Sequence, residues 1–450
     1  MEIASVILAA GQGTRMNSKI PKVLHPILGR PLVFYALETT TKAAGSRPVL
    51  VIGHGADAIR QAVGEAADFV YQAEQLGTGH AVQQAEKLLK GRAELVLVSY
   101  ADMPLLSVQT LQQLVEAQKS NPGPISMLSV VNENPRGFGR VIRREDGSVQ
   151  AIVEEAQATA EQLAVRELNA GVYCFAADWL WEALYRVPLS PKGEYYLTDL
   201  VGIAAEDGLF VKAIVAEDRN EAIGINTRLH LAEAGALLRQ RINREWMLAG
   251  VTFVDPSSTY IEPTVMIGCD TVIWPNTYLQ GDTVIGEGCV LGPNTIVRDT
   301  RIGNGCTVLS SMLEKAILEE DVEIGPFGHL RKGAHLATGV HMGNFGEVKN
   351  SYLGPGTKMG HFSYLGDATV GQNVNIGAGT ITCNFDGQKK HPTEIGEGAF
   401  IGSDTMLVAP VKLGEGAHTG AGAVVTKDIP AHALAVGMPA RAIRKLENSD

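Results

Sequence analysis

Residues 267–291 read IGCDTVIWPNTYLQGDTVIGEGCVL, and in this stretch an aliphatic side chain returns every six residues. The same period returns in two later runs, interrupted at 384–392 by the polar stretch NFDGQKKHP. The repeating positions are Ile267, Ile273, Leu279, Ile285, Leu291 and Val297, then Ile324, Leu330, Leu336, Met342 and Val348, then Ile395, Ile401, Leu407, Leu413, Thr419 and Val425. A six-residue period is typical of hexapeptide repeats, three of which form one coil of about 18 residues in a parallel β-helix. The pattern therefore predicts roughly nine coils, left-handed, with an external loop at the polar stretch.

The first half of the chain follows a different pattern, in which short apolar runs alternate with helical segments. Strands are predicted at 5–10, 48–53, 95–100 and 125–130, and helices at 31–44 and 79–91. This alternation predicts an α/β fold with a Rossmann-like, mixed but mostly parallel sheet. We therefore expect three segments: a domain at 1–226, a connecting helix at 227–250 and the β-helix domain at 251–450.

Composition narrows the class of protein. A net charge of -11 and a pI near 5.5 argue against a general nucleic-acid binder, because phosphate backbones require a positive surface. The N-terminal apolar run stops at Gly11, and no apolar stretch approaches the ~20 residues of a membrane span. Five scattered cysteines without CxxC spacing fit a reduced compartment, so we expect a cytoplasmic protein.

The stretch LAAGQGTRM at 8–16 follows a predicted strand, where glycines often approach a phosphate. It lacks the third glycine of the dinucleotide motif, since Met16 occupies that position, and it is not a P-loop. Arg15 and Lys22 supply cations just downstream, and with backbone N–H groups they favour a polyphosphate ligand. An ordinary tight turn remains the alternative for the glycines alone.

Polar residues also accumulate within the predicted β-helix, in the stretches 328–334, 346–351 and 360–368. His361 offers an imidazole that titrates near neutral pH, as a general base for an amine requires, and Glu347 could orient it. Other residues of this cluster could bind a sugar phosphate, with Arg331 and Lys349 on the phosphate and Tyr364 and Asn375 on the hydroxyls.

A family resemblance covers nearly all of residues 3–430. The motifs LAAGQGTRM, PKVL, EQLGTGHA, YADMPLL, GFGR, IVEE, LNAG and GINTR occur in the order of the sugar-1-phosphate nucleotidylyltransferases. Followed by hexapeptide repeats, they resemble the bifunctional bacterial N-acetylglucosamine-1-phosphate uridylyltransferases that are also glucosamine-1-phosphate acetyltransferases. The resemblance implies synthesis of UDP-N-acetylglucosamine, a cell-wall precursor, by two transferase activities. The implied substrates are UTP, N-acetylglucosamine-1-phosphate, glucosamine-1-phosphate and acetyl-CoA, with Mg²⁺ as cofactor.

For the first activity, the resemblance implies a nucleotide and sugar site with Arg15 on the triphosphate and with Asp102 and Asn226 as Mg²⁺ ligands. The implied UTP and UDP-sugar residues are Leu8, Ala9, Ala10, Gly11, Lys22, Gln72, Gly77, Thr78, Tyr100, Ala101, Asp102, Gly139, Glu154, Asn169 and Asn226. Ala101 stands where the family usually has glycine, and its methyl group could crowd the ribose or restrict the backbone.

For the second activity, the resemblance makes His361 the base for acetyl transfer and implies a homotrimer with active sites between chains. The implied acetyl-CoA residues are Ala378, Asn384, Phe385, Ser403 and Ala421. Phe385 replaces the usual tyrosine. In the tail 435–450 the late CoA-binding arginine of the family has no secure counterpart, and Arg441 is the candidate for it.

Two alternatives remain open from the sequence. A monofunctional sugar-1-phosphate nucleotidylyltransferase could carry the β-helix only as an assembly module, and it would need no role for His361 or Lys349. An NAD-dependent oxidoreductase is more distant, because the third glycine of its motif is missing.

Overall fold

The computed structural model describes residues 2–133, 135 and 137–445. By its internal contacts the chain divides into two compact units, Met1–Leu238 and Arg239–Asp450. The division falls within one helix, Arg228–Leu248, which Thr227 begins by accepting a hydrogen bond from the backbone N–H of His230 at 3.2 Å. The domain limits 226 and 250 that the sequence suggested remain a prediction.

The first unit is built around one twisted sheet with helices on both faces. The strands of this unit are β1 (Ile3–Ala9), β2 (Pro26–Ile27), β3 (Arg30–Pro31), β4 (Val49–Ile52), β5 (Asp68–Tyr71), β6 (Leu95–Tyr100), β7 (Ile125–Val131), β8 (Arg140–Arg143), β9 (Val149–Val153), β10 (Glu167–Ala176) and β11 (Val211–Val215). Of these, β2 and β3 form a separate two-stranded sheet. The helices are α1 (Leu32–Ala44), α2 (Ala56–Val63), α3 (Thr78–Gln83), α4 (Glu86–Leu89), α5 (Val108–Lys119), α6 (Ala160–Leu163), α7 (Ala177–Ala183) and α8 (Asp199–Glu206). The helix α9 (Arg228–Leu248) contains the boundary between the two units.

The strand order of the main sheet is β11-β7-β10-β6-β1-β4-β5, and the hairpin β8–β9 attaches to β10. The neighbours β6, β1, β4 and β5 are parallel, whereas β10 runs antiparallel to both β6 and β7. The predicted mixed, mostly parallel sheet is therefore confirmed. Alternate residues of β1 fill different cores, since Val6 packs on one face and Ile7 on the other.

One element differs from the prediction. The expected helix at 79–91 consists of the two short helices α3 and α4, separated at residues 84 and 85. The backbone N–H groups of these two residues bond to carbonyls only three residues back, Ala81 and Val82, at 3.2 and 2.9 Å. These tighter turns end α3.

The second unit is a parallel β-helix with three faces, and among the described residues it contains twelve, ten and nine stacked strands. Face 1 contains Thr252–Phe253, Val272–Ile273, Val290–Leu291, Thr307–Val308, Glu323–Ile324, His341–Met342, Lys358–Met359, Asn375–Ile376, Phe400–Ile401, His418–Thr419, Ala433–Val436 and the antiparallel Arg441–Lys445. Face 2 contains Tyr260–Ile261, Tyr278–Gln280, Ile296–Arg298, Met312–Glu314, His329–Leu330, Gly346–Lys349, Ser363–Gly366, Ile381–Cys383, Met406–Val408 and Val424–Val425. Face 3 contains Met266–Ile267, Val284–Ile285, Arg301–Ile302, Ile317–Leu318, His335–Leu336, Tyr352–Leu353, Ala368–Val370, Thr393–Ile395 and Val411–Leu413.

Every residue of the predicted six-residue pattern is buried inside this β-helix. The handedness of the coils remains a prediction. Between the three runs of the pattern the spacing shortens to five residues, as from Val297 to Ile302 and from Val348 to Leu353. Each of these short corners contains one residue with positive φ, here Asp299 at 49° and Asn350 at 46°. The six-residue corners contain residues with positive φ as well, so the left-handed conformation is a feature of these corners in general.

We expect Ile285→Ala to destabilise the β-helix by about 2–5 kcal/mol, because it removes a buried side chain from a tightly packed interior. The matched control is Val284→Ala in the same strand, since Val284 is 40% exposed and Ile285 only 2%. Urea denaturation followed by circular dichroism measures both. Equal losses of stability in the two variants would contradict the assignment of inward and outward positions.

Candidate functional site

A cavity of about 720 Å³ opens at the carboxyl ends of β1, β5 and β6 in the first unit. Parallel strands place the loops that follow them at one edge of the sheet, which is where ligands bind in α/β folds. The cavity brings together most of the predicted nucleotide and sugar residues, namely Leu8, Ala9, Ala10, Gly11, Lys22, Gln72, Gly77, Thr78, Tyr100, Asp102, Gly139, Glu154, Asn169 and Asn226.

The loop after β1 is fixed by its packing. Met16 is buried and anchors the loop in the core, so its side chain has a structural role. Gly13 has φ 64°, and a Cβ atom there would lie 2.7 Å from Cβ of Lys22. Gly11, in contrast, has open space where a side chain would project. The loop therefore packs closely against Lys22 at Gly13, whereas at Gly11 its backbone is accessible to a ligand.

Three polar side chains from distant parts of the chain meet in the cavity. The ammonium group of Lys22 donates to Oδ2 of Asp102 and, at 3.2 Å, to Oδ1 of Asn226. The backbone N–H of Ile225 bonds to the carbonyl of Asp102 at 2.9 Å, which keeps the last two side chains together.

A divalent cation fits this arrangement. A carboxylate and an amide oxygen that converge on one cationic group are the hard donors that such ions prefer. Over residues 2–133, 135 and 137–445, no three His, Cys, Asp or Glu side chains form a metal-binding group. Asp102 and Asn226 would therefore supply two ligands, and the remaining ligands would come from water and substrate phosphates, as is common for Mg²⁺.

The wall formed by β5 and α3 presents hydrogen-bonding groups with fixed directions. The side-chain amide of buried Gln72 donates to the carbonyl of Gly77 at 3.0 Å and lies 3.2 Å from Nδ1 of His80. Thr78 accepts from the backbone N–H of Leu197 at 3.0 Å. These bonds orient polar groups in a manner suited to the edge of a nucleobase.

The opposite wall is formed by β10 and the β8–β9 hairpin. Oδ1 of Asn169 accepts from the hydroxyl of Tyr173 and from the backbone N–H of Gly171, both at 3.0 Å, and in the described part of the chain its NH₂ group makes no hydrogen bond. Glu154 lines the same wall, and desolvation raises the pKa of its carboxyl although Lys192 opposes this. The wall therefore offers a hydrogen-bond donor and an acceptor to a polar ligand.

Two predicted residues lie outside the cavity. Arg15 is exposed on the short turn Thr14–Met16 and does not line the cavity. Ala101 is fully buried in the core beside Ile7 and Ala9, so its methyl group does not crowd a ligand in this cavity.

The cavity also contains residues that the sequence analysis missed, namely Gln12, Gln75, Met103, Glu194, Tyr196 and Thr198. Gln12 lies between the two glycines of LAAGQGTRM, and its polar side chain in this motif could have identified it as a cavity residue. The residues from 194 to 198 lie in an irregular segment without hydrophobic periodicity, so nothing in the sequence pattern points to them.

The predicted residues of the second unit lie around face 2. His361, Ala378, Ser403 and Ala421 each stand two residues after the inward residue of a face 1 strand, so they form one column at the corner between faces 1 and 2. Glu347, Lys349 and Tyr364 lie on neighbouring strands of face 2 itself, Arg331 directly follows one, and Asn375 lies on face 1.

Asn384 and Phe385 lie on the other side of face 2, in the loop 384–392. The carboxylate of Asp386 accepts backbone N–H groups from Gln388 and Lys389 at 2.7 and 2.8 Å and a side-chain bond from His391 at 2.6 Å. These bonds lower the pKa of Asp386 to about 2. The predicted external loop is therefore a small, internally bonded hairpin.

The expected pair of Glu347 and His361 is not formed in the described part of the chain. Glu347 instead accepts from Arg331 at 2.8 Å, and His361 is exposed without a hydrogen bond or ion pair among the described residues. Lys349 lies against Lys390, which lowers the pKa of Lys349, and Arg331 adds to the effect. A cluster of cations without enough counter-charge suits an anionic ligand.

Comparisons with known proteins agree with this division. Residues 5–192 match the MobA-like NTP transferase domain, and residues 264–299 and 392–427 match the bacterial transferase hexapeptide (six repeats). Fold and sites together define a class, transferases that join a nucleotidyltransferase-type α/β domain to a hexapeptide β-helix. Among the described residues, no helix combines the length and apolar character needed to cross a membrane.

Similarity to curated proteins extends through both units. The chain is 48% identical to "Bifunctional protein GlmU" of Heliobacterium modesticaldum over 96% of its own length and 94% of that protein. It is 45% identical to the protein of the same name from Pelobacter propionicus and 42% identical to that from Shouchella clausii, in each case over 96% of this chain and 95% of the relative. The chain belongs to the GlmU family of bifunctional proteins.

We expect the pKa of Glu154 to respond in opposite directions to two neighbouring substitutions. Lys192→Ala removes a positive charge and should raise this pKa further, whereas Asp199→Asn removes a negative charge and should lower it. A pH titration of ¹³C-labelled glutamate carboxyls measures both shifts. Shifts of the same sign in the two variants would contradict the electrostatic origin of the effect.

Proposed function

We propose that the two sites catalyse the two transfers of UDP-N-acetylglucosamine synthesis. Acetyl-CoA first acetylates glucosamine-1-phosphate in the second unit, and the first unit then transfers uridylyl from UTP to N-acetylglucosamine-1-phosphate with release of pyrophosphate. One observation carries this proposal, the GlmU similarity that extends over 96% of the chain and through both units. The alternative of a β-helix that serves only assembly is not favoured.

Uridylyl transfer requires alignment and charge neutralisation more than proton transfer. The attacking phosphate oxygen is already largely anionic near neutral pH, because the second pKa of a phosphate monoester is about 6. Lys22 would contact the phosphates from the cavity, and Arg15 would approach them from its exposed turn. Mg²⁺ held by Asp102 and Asn226 would neutralise charge on the phosphates.

The walls of the cavity would position the two ends of the product. Gln72, Gly77 and Thr78 would bind the uracil, while Leu8 to Gly11 would place backbone against the nucleotide. Gly139, Glu154 and Asn169 would bind the sugar, and the directed bonds around Asn169 support this role. The buried position of Ala101 assigns it to the support of Asp102, since its N–H bonds to the carbonyl of Leu8 at 3.0 Å.

Acetyl transfer would take place on face 2 of the β-helix. The amine nitrogen attacks the thioester carbonyl, a C–N bond forms as the C–S bond breaks, and His361 accepts the proton of the amine. Arg331 and Lys349 would bind the sugar phosphate, and Tyr364 and Asn375 its hydroxyls. Glu347 would hold Arg331 in place, because it accepts a hydrogen bond from that guanidinium.

We further propose a homotrimer in the cytoplasm, where UTP and acetyl-CoA are available. The acetyl-CoA candidates support assembly, because Ala378, Ser403 and Ala421 lie at one edge of face 2 and Asn384 and Phe385 at the other. Residues from two chains could thus complete one site. Apolar side chains also lie at outward positions of face 2 above and below its polar centre, beside the polar Gln280, Arg298 and Glu314. They are Tyr278, Ile296, Met312, Ile381, Met406 and Val424.

Asp102→Asn is expected to reduce uridylyl transfer by at least about a hundredfold while acetyl transfer stays at the wild-type rate. The substitution removes the charge that balances a divalent cation and keeps the size of the side chain. Both reactions are measured on one purified sample, as pyrophosphate release and as free CoA thiol. A parallel loss of both activities would refute two independent sites.

His361→Ala is expected to show the opposite pattern, with acetyl transfer reduced about 10²–10⁴-fold and uridylyl transfer retained. His335→Ala is the matched control, because His335 lies on face 3 of the same β-helix, outside the proposed site. Equal acetyl transfer by wild type and His361→Ala would remove this histidine from the reaction. Absence of acetyl transfer in the wild type would return the β-helix to an assembly role.

A further inference from the structure

Two short segments carry cavity residues from opposite ends of the first unit. The Lys22 segment comprises residues 21–25 and the Asn226 segment residues 225–228. Within the described residues, two side-chain hydrogen bonds join them: Lys22 Nζ to Asn226 Oδ1 at 3.2 Å, and Arg228 Nη1 to His25 Nδ1 at 3.2 Å. The first of these bonds uses the ammonium group of Lys22, to which the phosphates of the substrate would also bind.

His25 is built into the Lys22 segment. Its backbone N–H bonds to the carbonyl of Lys22 at 3.2 Å, its own carbonyl accepts from Leu32 at 3.1 Å, and its side chain is only 1% exposed. A guanidinium group can only donate, so Nδ1 accepts and Nε2 carries the ring proton. Burial and Arg228 lower the pKa of His25 more than the carbonyl of Ile20 raises it, which favours this neutral form.

The Asn226 segment is held to the sheet independently. Ile225 is fully buried and bonds through its N–H to the carbonyl of Asp102 at 2.9 Å. Asn226 therefore keeps its place beside Asp102 through the backbone. The Lys22 segment, in contrast, is joined to the Asn226 segment by the side-chain hydrogen bonds of Lys22 and His25, and the described residues show no backbone hydrogen bond between the two segments.

A polyphosphate that enters the cavity competes with Asp102 and Asn226 for the ammonium group of Lys22. When this group turns to the phosphates, its bond to Asn226 is lost, and the bond between Arg228 and His25 remains. We propose that His25 and Arg228 are positioning residues for uridylyl transfer, which keep Lys22 aligned with Asn226 and Asp102 while Lys22 binds phosphate. This inference rests on the proposed function of the first unit.

The test compares His25→Leu, His25→Asn, Arg228→Met and the double variant His25→Leu with Arg228→Met. Leucine fills the space without an acceptor, whereas Oδ1 of asparagine stands near the place of Nδ1 and can accept from Arg228. Each protein is assayed for kcat and KM of uridylyl transfer, for UTP binding with Mg²⁺ by calorimetry, and for thermal unfolding. Acetyl transfer in the same preparation serves as the internal control.

Loss of the bond should lower kcat/KM of uridylyl transfer about tenfold in both single variants, with weaker UTP binding and unchanged acetyl transfer. The double variant should lose no more than the single variants, and His25→Asn should remain within about threefold of the wild type. Additive losses in the double variant, failure of asparagine to rescue, or normal UTP binding in His25→Leu would each overturn the positioning role. A wild-type protein without uridylyl transfer would instead refute the proposed function.

Discussion

Register between parallel strands is the constraint on which both units depend. In the first unit, the pairing of β1 with β4 and β6 ends three strands at one edge, so that Leu8 and Tyr100 lie side by side. In the β-helix, the same kind of pairing stacks the corners of successive coils. His361 and Ala378 therefore occupy equivalent positions in neighbouring coils. Residues far apart in the chain meet because hydrogen bonds between backbones fix the position of each strand along its neighbour.

Both sites contain positive charge within a protein of net charge -11. In the first unit the ammonium group of Lys22 is paired with the carboxylate of Asp102. In the second unit Lys349 lies against Lys390, which lowers the pKa of Lys349. Under the proposed function, phosphate groups of the substrates would bind to these cations, and a small local excess of positive charge would be enough despite the negative net charge.

The fold could be predicted well from the sequence because its periods are long and regular. The six-residue pattern locates inward side chains such as Ile285 and Leu330 without knowledge of any contact. The five-residue corners at Asp299 and Asn350 do not follow from this period, and the positive φ angle in each of them depends on the local backbone conformation. That angle leaves little trace in sequence beyond a preference for Asp or Asn.

The sites were predictable only in part. Ordered motifs gave Lys22, Asp102 and Asn226, and the structure brings these three together. The motifs did not place Arg15 outside the cavity or pair Glu347 with Arg331, because such details depend on side-chain packing and not on spacing. The proposed positioning role of His25 could not be predicted from the sequence, since it depends on a contact with a residue about two hundred positions away.

The five-residue corners have a consequence for the length of the β-helix. Coils of different residue number rise by the same distance, about 4.8 Å, because the rise is set by hydrogen-bonded strands and not by the chain between them. The ten strands of face 2 therefore span roughly 43 Å, whatever residues the corners gain or lose. Each coil of the β-helix therefore adds a fixed rise, and a loop such as 384–392 can lengthen without shifting the coils above or below it.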